Sequence, residues 1–194
     1  MNRRDLLKSS AITGAGFLLT GSITSNAIAG SGSNSSQGGG CTILTKKRTL
    51  GSGKAALTVP ALYLGCMGMQ SGRGIVPNEK SMEKLIQQAY DRGCNFFDTA
   101  EGYSAGKNEE LLGRAIAAMR DKVLISTKFT VDLTKNPPLN DNRPERIKAA
   151  CESSLRRLKT DYIDLYHQHR IDRSVPIEDV AGALEECDTF FRTD

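Results

Sequence analysis

The sequence predicts an α/β fold of the (β/α)8 TIM-barrel type, reduced to about four βα units and preceded by a β-hairpin. Three observations lead there. Short apolar runs alternate four times with segments whose apolar residues recur at helical spacing, the pattern of a parallel sheet with helices packed outside it. Polar residues collect where those runs end, at Cys66, Asp98, Lys128 and His169, roughly one strand–helix unit apart, as on the rim where such barrels build their sites. No G-x-G-x-x-G follows any run and no phosphate-loop motif occurs, which argues against an open dinucleotide-binding sheet.

The chain opens on residues that do not read as part of this fold. Residues 1–29 combine a basic start, Asn2-Arg3-Arg4-Asp5-Leu6-Leu7-Lys8, a weakly apolar stretch interrupted by Gly14, Gly16 and Gly21, and Ala27-Ile28-Ala29 as a cleavage site. That is the three-part plan of an export signal. The adjacent arginines make it a twin-arginine (Tat) type leader and predict a periplasmic protein of a Gram-negative bacterium. The alternative is an N-terminal extension with a chance Arg pair on a cytoplasmic protein. Residues 30–41, rich in Gly, Ser, Asn and Gln, read as a flexible linker. Cys41 follows three glycines and lacks the Leu expected upstream of a lipidated cysteine, so no lipid anchor is expected.

The elements then follow in order. Residues 42–50 and 55–59 flank Gly51-Ser52-Gly53 and predict the hairpin. Residues 61–64 are the first strand of the sheet and end at Gly65. The first helix has Asn78 as its cap, Met82, Leu85, Ile86, Ala89 and Tyr90 on one face, and Gly93 as its stop. Asn95-Phe96-Phe97 is the second strand and runs into Asp98. The second helix starts at Asn108 and turns Leu111, Leu112, Ala115, Ile116 and Met119 inward. Residues 123–127 are the third strand, ending at Lys128. Pro144 stands near the first position of the third helix, which buries Ile147, Ala150, Cys151, Leu155 and Leu158. Residues 162–167 are the fourth strand and lead to His169. The fourth helix opens at Pro176 with Ile177, Val180, Ala181 and Leu184 as its apolar face.

Composition narrows the function. With 194 residues, 39% hydrophobic and 25% charged, the chain is globular rather than disordered. It holds no apolar run of about 18 residues, so no stable membrane span is expected. The formal charge is +4, but Arg3, Arg4 and Lys8 against Asp5 place half of it in the leader, so the pI of 8.8 is no argument for nucleic-acid binding. The cysteine count of 5 is odd, and no C-x-x-C pair or Cys/His ligand spacing occurs. Buried free thiols are expected, with neither a disulfide framework nor a metal site.

Singly, the candidate site residues have ordinary structural readings: Asp98 as a turn or cap residue, Tyr103 as a packed loop aromatic, Lys128 as a solvated strand-end lysine, His169 as one of 2 structural histidines. On one rim they make a chemical set. A phenol, whose ordinary pKa is near ~10, exchanges protons reluctantly at neutral pH. An ammonium beside it favours the phenolate, and a carboxylate keeps that ammonium charged and oriented. An imidazole can hydrogen-bond a carbonyl oxygen and set its direction. Such a site protonates a carbonyl oxygen while hydride reaches the carbon. No side chain supplies hydride, so a nicotinamide or flavin is required. A hydrolase or lyase on the same barrel is disfavoured by the lack of paired carboxylates at adjacent strand ends and of metal-ligand clusters.

Several separated stretches resemble the aldo-keto reductase family: Phe96-Phe97-Asp98-Thr99-Ala100-Glu101-Gly102-Tyr103, Asn108-Glu109-Glu110-Leu111-Leu112-Gly113, Ser126-Thr127-Lys128-Phe129, and Asp161-Tyr162-Ile163-Asp164-Leu165-Tyr166-His167-Gln168-His169-Arg170. Arg48-Thr49-Leu50-Gly51 and Leu64-Gly65-Cys66-Met67-Gly68-Met69 resemble its opening hairpin and first strand. The resemblance implies Tyr103 as general acid, Lys128 as the ammonium that assists it, Asp98 as the partner of Lys128, and His169 as the residue orienting the substrate carbonyl. It implies NADPH as cofactor, contacted by Gly65, Cys66, Met67 and Asp98, and aldehydes or ketones as substrates. His167 falls where the family often has an aromatic residue, and no catalytic role is expected for it.

The resemblance divides the chain into a leader (1–29), a linker (30–41), the N-terminal half of an aldo-keto reductase barrel (42–184) and a divergent tail (185–194). Eight units typically take about 250 residues, and four exhaust this chain. Much of the family's grip on the cofactor lies in the half not present, so weak NADPH binding and no turnover are expected of residues 30–194 alone. A catalytically inactive half-barrel serving as a binding or assembly module is the alternative function. Open strands at both sides of a half-barrel predict self-association through those edges.

Overall fold

A computed structural model describes residues 46–53, 56–70, 77–129, 131–132 and 139–187. The leader at 1–29, the linker at 30–41, the start of the expected first hairpin strand at 42–45 and most of the expected tail lie outside the described residues. The first elements are β1 (Lys47–Leu50) and β2 (Leu57–Pro60), antiparallel with Lys47 opposite Pro60 and Leu50 opposite Leu57. After them come β3 (Leu64–Gly65), a 3-10 turn at Met67–Met69, α1 (Glu79–Asp91) and β4 (Phe96–Asp98). A second 3-10 turn, Tyr103–Gly106, runs into α2 (Lys107–Ile116), and a third, Ala117–Lys122, leads to β5 (Leu124–Phe129). A small hairpin of β6 (Val131–Asp132) and β7 (Leu139–Asn140) precedes α3 (Pro144–Leu158), β8 (Leu165–Gln168) and α4 (Ile177–Glu186).

The central sheet is parallel and four-stranded, in the order β3-β4-β5-β8. Sequential strands lie side by side with helices between them, the connectivity of a barrel wall. Opposed residues of parallel strands share a face. Phe97 lies opposite Ile125, and both are fully buried in one cluster with Leu111, Ile116, Ile147 and Leu158 of the helices. That face is the core. Alternation turns Asp98, Ser126 and Lys128 the other way, and Lys128 lies opposite His167.

Local chemistry sets the helix ends. The Asn78 side chain accepts from the Ser81 N–H at the start of α1. Pro144 occupies the first turn of α3, where its missing N–H costs nothing. Gly113 lets α2 and α3 meet: a Cβ there would lie 2.5 Å from the Leu158 carbonyl oxygen.

Several elements differ from expectation. The first sheet strand is Leu64–Gly65 rather than 61–64, with Leu62 47% and Tyr63 59% exposed. The Ala61 N–H still bonds to the Lys46 carbonyl, so this segment belongs to the hairpin, and the Tyr63 ring lies against Phe96. The third strand runs through Phe129, which puts Lys128 inside it. In α1, Ile86 is buried while Leu85 is 42% exposed. In α4 the buried stripe is Val180, Ala183 and Cys187, while Ile177 is 62% exposed and Ala181 faces solvent. Apolar residues occur on two sides of that segment, and packing against α3 selects one. The helix continues past residue 184 to Glu186.

Candidate active site

Strand pairing builds the site. Asp98 closes β4, yet the pairing with β5 continues beyond it: the Thr99 N–H donates to the Ser126 carbonyl at 2.9 Å and the Glu101 N–H to the Lys128 carbonyl at 3.1 Å. The Tyr103 N–H then bonds back to Ala100 at 3.0 Å and turns the chain over the end of β5. Ser104 (φ 49°) and Ala105 (φ 55°) follow in the left-handed region, and the Ser104 hydroxyl donates to the Gln70 carbonyl. Residues other than glycine rarely hold this conformation in succession, so the turn that presents Tyr103 is closely constrained.

The Lys128 ammonium has three N–H donors and three acceptors within reach: Asp98 Oδ2 at 2.7 Å, the Thr99 carbonyl at 2.7 Å and the Tyr103 hydroxyl at 3.4 Å. The second oxygen of Asp98 accepts from Ser126 Oγ at 3.0 Å. The two side chains of the ion pair are 12% and 16% exposed, dry enough to stay paired and open enough to be reached. His169 lies just past β8, where its N–H extends the pairing by bonding to Phe129 at 2.9 Å. Its ring stands edge-on to Tyr103, with 5.6 Å between centroids. Asp98, Tyr103, Lys128 and His169 thus meet on one rim, as expected. Burial first, then the charges of Lys128 and Arg170, hold the His169 imidazole below its ordinary range, so it is neutral at neutral pH.

Of the stretch expected to touch a cofactor, Gly65 is exposed and Met67 half-buried. Cys66 is 1% exposed and belongs to the core cluster. Its thiol points to the Leu64 carbonyl, its N–H bonds to Asp98, and burial pushes the thiol up to about 12.

Sequence reasoning missed the layer beneath the rim. Asn108, 1% exposed, accepts from Thr99 Oγ1 at 2.7 Å and donates to the Cys66 carbonyl at 2.8 Å, which ties the ends of β3 and β4 to α2. Glu109, fully buried, accepts from Thr127 Oγ1 at 2.6 Å and from Arg157 Nε at 2.6 Å. Thr127 neighbours Lys128, so this carboxylate fixes β5 directly behind the ammonium. Two polar residues opening an otherwise apolar helix face were the available signal. His167 is also on the lysine side of the sheet. Its Nδ1 is buried without a hydrogen-bond partner among the described residues, and burial followed by the Lys128 charge holds it below its ordinary range.

The model of the aldo/keto reductase family matches residues 61–189. The chain belongs to this family. Among curated aldo-keto reductases, the Glycine max protein named "Probable aldo-keto reductase 1" is 39% identical over 136 residues, which are 69% of this chain and 39% of that protein. The NADP(+) aldo-keto reductase yakc of Schizosaccharomyces pombe is 38% identical over 136 residues, covering 67% of this chain and 39% of its own length. The holo form of an aldo-keto reductase from Bacillus halodurans superposes with a TM-score of 0.65 at 34% identity, over 74% of this chain and 46% of that one. A glycerol dehydrogenase from Gluconobacter oxydans gives 0.64 at 30%, with the same coverage. The aldo-keto reductase chain thus spans about two fifths of the length of the curated relatives it matches. The family match continues to residue 189, beyond the position at which the sequence resemblance was expected to stop. Its strands therefore correspond to part of an aldo-keto reductase barrel.

Proposed function

We propose that this chain carries the proton-transfer residues of an oxidoreductase that reduces aldehyde or ketone carbonyls with NADPH. One observation carries the reading: the Tyr103 hydroxyl lies 3.4 Å from an ammonium that Asp98 holds at 2.7 Å, with the His169 ring edge-on beside it. In this reading Tyr103 gives its proton to the carbonyl oxygen. Lys128 opposes the negative charge left on the phenol oxygen, and Asp98 keeps the ammonium aimed there. His169, neutral, directs an N–H at the same carbonyl oxygen without adding a positive charge that would compete with Lys128. NADPH, when bound, supplies the hydride that the side chains cannot. Gly65, Met67 and Asp98, with the backbone at Cys66, would hold its reactive end. The rim leaves room for a flat ring there, since among the described residues, the chain neighbours apart, no atom lies within 4 Å of where a Cβ would stand at Gly65 or Gly68. The NADP(+) in the name of the yeast relative and the holo form of the Bacillus structure support this choice of cofactor.

The test is NADPH oxidation with a generic aldehyde, followed by absorbance. It is run on the chain and on a chimera continued with the remaining barrel segments of a relative. Tyr103→Phe keeps the ring and removes the proton, and should lower turnover by about 10²–10⁴ with NADPH binding nearly unchanged. Nearly full turnover of Tyr103→Phe would overturn the assignment. NADPH binding without turnover in both proteins would favour the assembly-module alternative. We also infer Tat-dependent export from Arg3-Arg4 and Ala27-Ile28-Ala29, and self-association through β3 and β8, the outer strands of the described sheet.

A further inference from the structure

At the end of the sheet where the strands begin, opposite the rim, lies a cavity of about 470 Å³ that the proposed reaction does not use. Three segments wall it. The hairpin contributes Lys47 and Thr58, the end of α1 contributes Tyr90 and Asp91, and the approaches to β4 and β5 contribute Asn95 and Lys122. Local structure brings them together. Lys47 stands opposite Pro60 in the hairpin, and Thr58 is two residues before Pro60, so these three share one face. Gly93, at φ 94°, ends α1 with its N–H bonded to the Tyr90 carbonyl. The Leu124 N–H bonds to the Asn95 carbonyl at 2.7 Å, which brings the segment of Lys122 beside Asn95. Among the described residues, none of the six polar side chains has a hydrogen-bond or ion-pair partner. Asp91 shares the cavity with two lysines and pairs with neither, so opposite charges line one space without closing on each other.

We infer that this cavity binds a small phosphate monoester bearing hydroxyl groups, of sugar-phosphate size. A phosphate monoester carries a charge of about −1.5 to −2 near neutral pH, which two ammoniums match better than one. The Asp91 carboxylate would repel a ligand that is anionic throughout, but it accepts from neutral hydroxyls. Asn95 both donates and accepts, and so does the Thr58 hydroxyl, as a polyol requires. Pro60, which is buried, Leu124 and the Tyr90 ring supply apolar wall for the carbon skeleton. At about 470 Å³ the cavity lies within the range of about 300–1,000 Å³ usual for small-molecule sites.

Exposure sets the strength. Lys47, Asp91 and Lys122 are exposed, so their charges act partly through water and are screened by salt. The site therefore binds at about the millimolar level or somewhat tighter, and more weakly as salt rises. The inference does not depend on the proposed reductase activity, because the rim lies where the strands end and this cavity where they begin.

The test titrates the full isotope-labelled chain at low salt and follows backbone amide shifts by NMR. Ribose 5-phosphate is the probe, and inorganic phosphate, ribose and ribonate are the comparisons. The ester should shift the amides of Thr58, Gly93, Asn95 and Leu124 with a saturable Kd of about 1 mM or below. Each comparison compound should bind more weakly by roughly fivefold or more. Lys47→Gln and Lys122→Gln, both at exposed positions, should each weaken the ester by a similar factor. Asp91→Asn should narrow the preference for the ester over inorganic phosphate. Arg156→Gln, an exposed cation outside the cavity, should leave the Kd unchanged. No saturation by about 10 mM ester, shifts centred on other residues, or a Kd indifferent to both lysines would each overturn the inference. So would inorganic phosphate binding as well as the ester, which marks a mere ion site, or ribonate binding as well, which marks a site for any sugar anion.

Discussion

Replacing Arg157 with Met should destabilise the chain more than replacing Glu109 with Gln, although both changes remove the same ion pair. The asymmetry comes from exposure: the Glu109 side chain is fully buried and that of Arg157 is 24% exposed. Arg157→Met leaves a carboxylate in the core with, among the described residues, the Thr127 hydroxyl to solvate it, at a cost of about 3–5 kcal/mol. Glu109→Gln keeps the shape and an acceptor oxygen for Thr127, and the guanidinium left behind can turn its open side to water. Its cost is that of one charge-assisted hydrogen bond, about 1.5–3 kcal/mol. In a domain stable by about 5–15 kcal/mol, the first change removes a large share of the total. The double variant should cost less than the sum, because a neutral amide in place of the Glu109 carboxylate no longer needs the cation, with a coupling of about 1–3 kcal/mol. Urea unfolding followed by circular dichroism measures all three changes, compared at a common slope. A Glu109→Gln chain that loses as much stability as the Arg157→Met chain, or additivity within about 0.5 kcal/mol, would show that the buried carboxylate is not what anchors β5.

Gly113→Ala should cost about 1–3 kcal/mol in thermal unfolding despite alanine's better helix propensity, because the new Cβ meets the Leu158 carbonyl at 2.5 Å; a neutral result contradicts the close helix contact. His167 and His169 are both held below the ordinary 6.5, so between that value and their folded pKa the unfolded chain binds protons that the folded chain refuses. Stability should therefore fall as the pH drops below about 6.5. His167→Gln should flatten that slope between about pH 5 and 7, and an unchanged slope would remove the histidines from the explanation. Replacing Arg3 and Arg4 with Lys should leave the protein in the cytoplasmic fraction, and unchanged periplasmic recovery would end the Tat reading.

The order of strands and helices was legible because each helix carries its apolar residues at one period and each strand is a short unbroken apolar run. Asp98, Lys128 and His169 were legible because a polar residue at the end of such a run stands out, and Tyr103 because of the motif around it. Asn108 and Glu109 stand in a motif of the family too, yet their role was hidden. Glu109 is stabilised in the core by Thr127 and Arg157, 18 and 48 residues away, and no local pattern reveals such a partner. The face of α4 was misjudged for a related reason. Ile177 and Ala181 are as apolar as Val180 and Ala183, and only the position of α3 decides which pair is covered. The β6–β7 hairpin has two residues per strand, too few to show an alternation.

The same distances separate two properties that are easily merged. The bonds described for the four rim side chains come from nearby strand ends: Asp98 and Thr99 from β4 and its extension, Ser126, Lys128 and Phe129 from β5, and the turn from Ala100 to Tyr103. Asn108 and Glu109 brace those strand ends from α2, and Arg157 braces Glu109 from α3. The arrangement of Asp98, Tyr103, Lys128 and His169 can therefore be assembled by four strands and the helices behind them. Holding a dinucleotide is a different demand, because it needs donors for phosphates and a ribose well beyond the reactive ring, whereas the contacts proposed among the described residues, Gly65, Met67 and Asp98, belong to the ring end. It follows that substitutions in the bracing layer should disturb proton transfer and stability together, while cofactor affinity should depend on whatever completes the barrel around that rim.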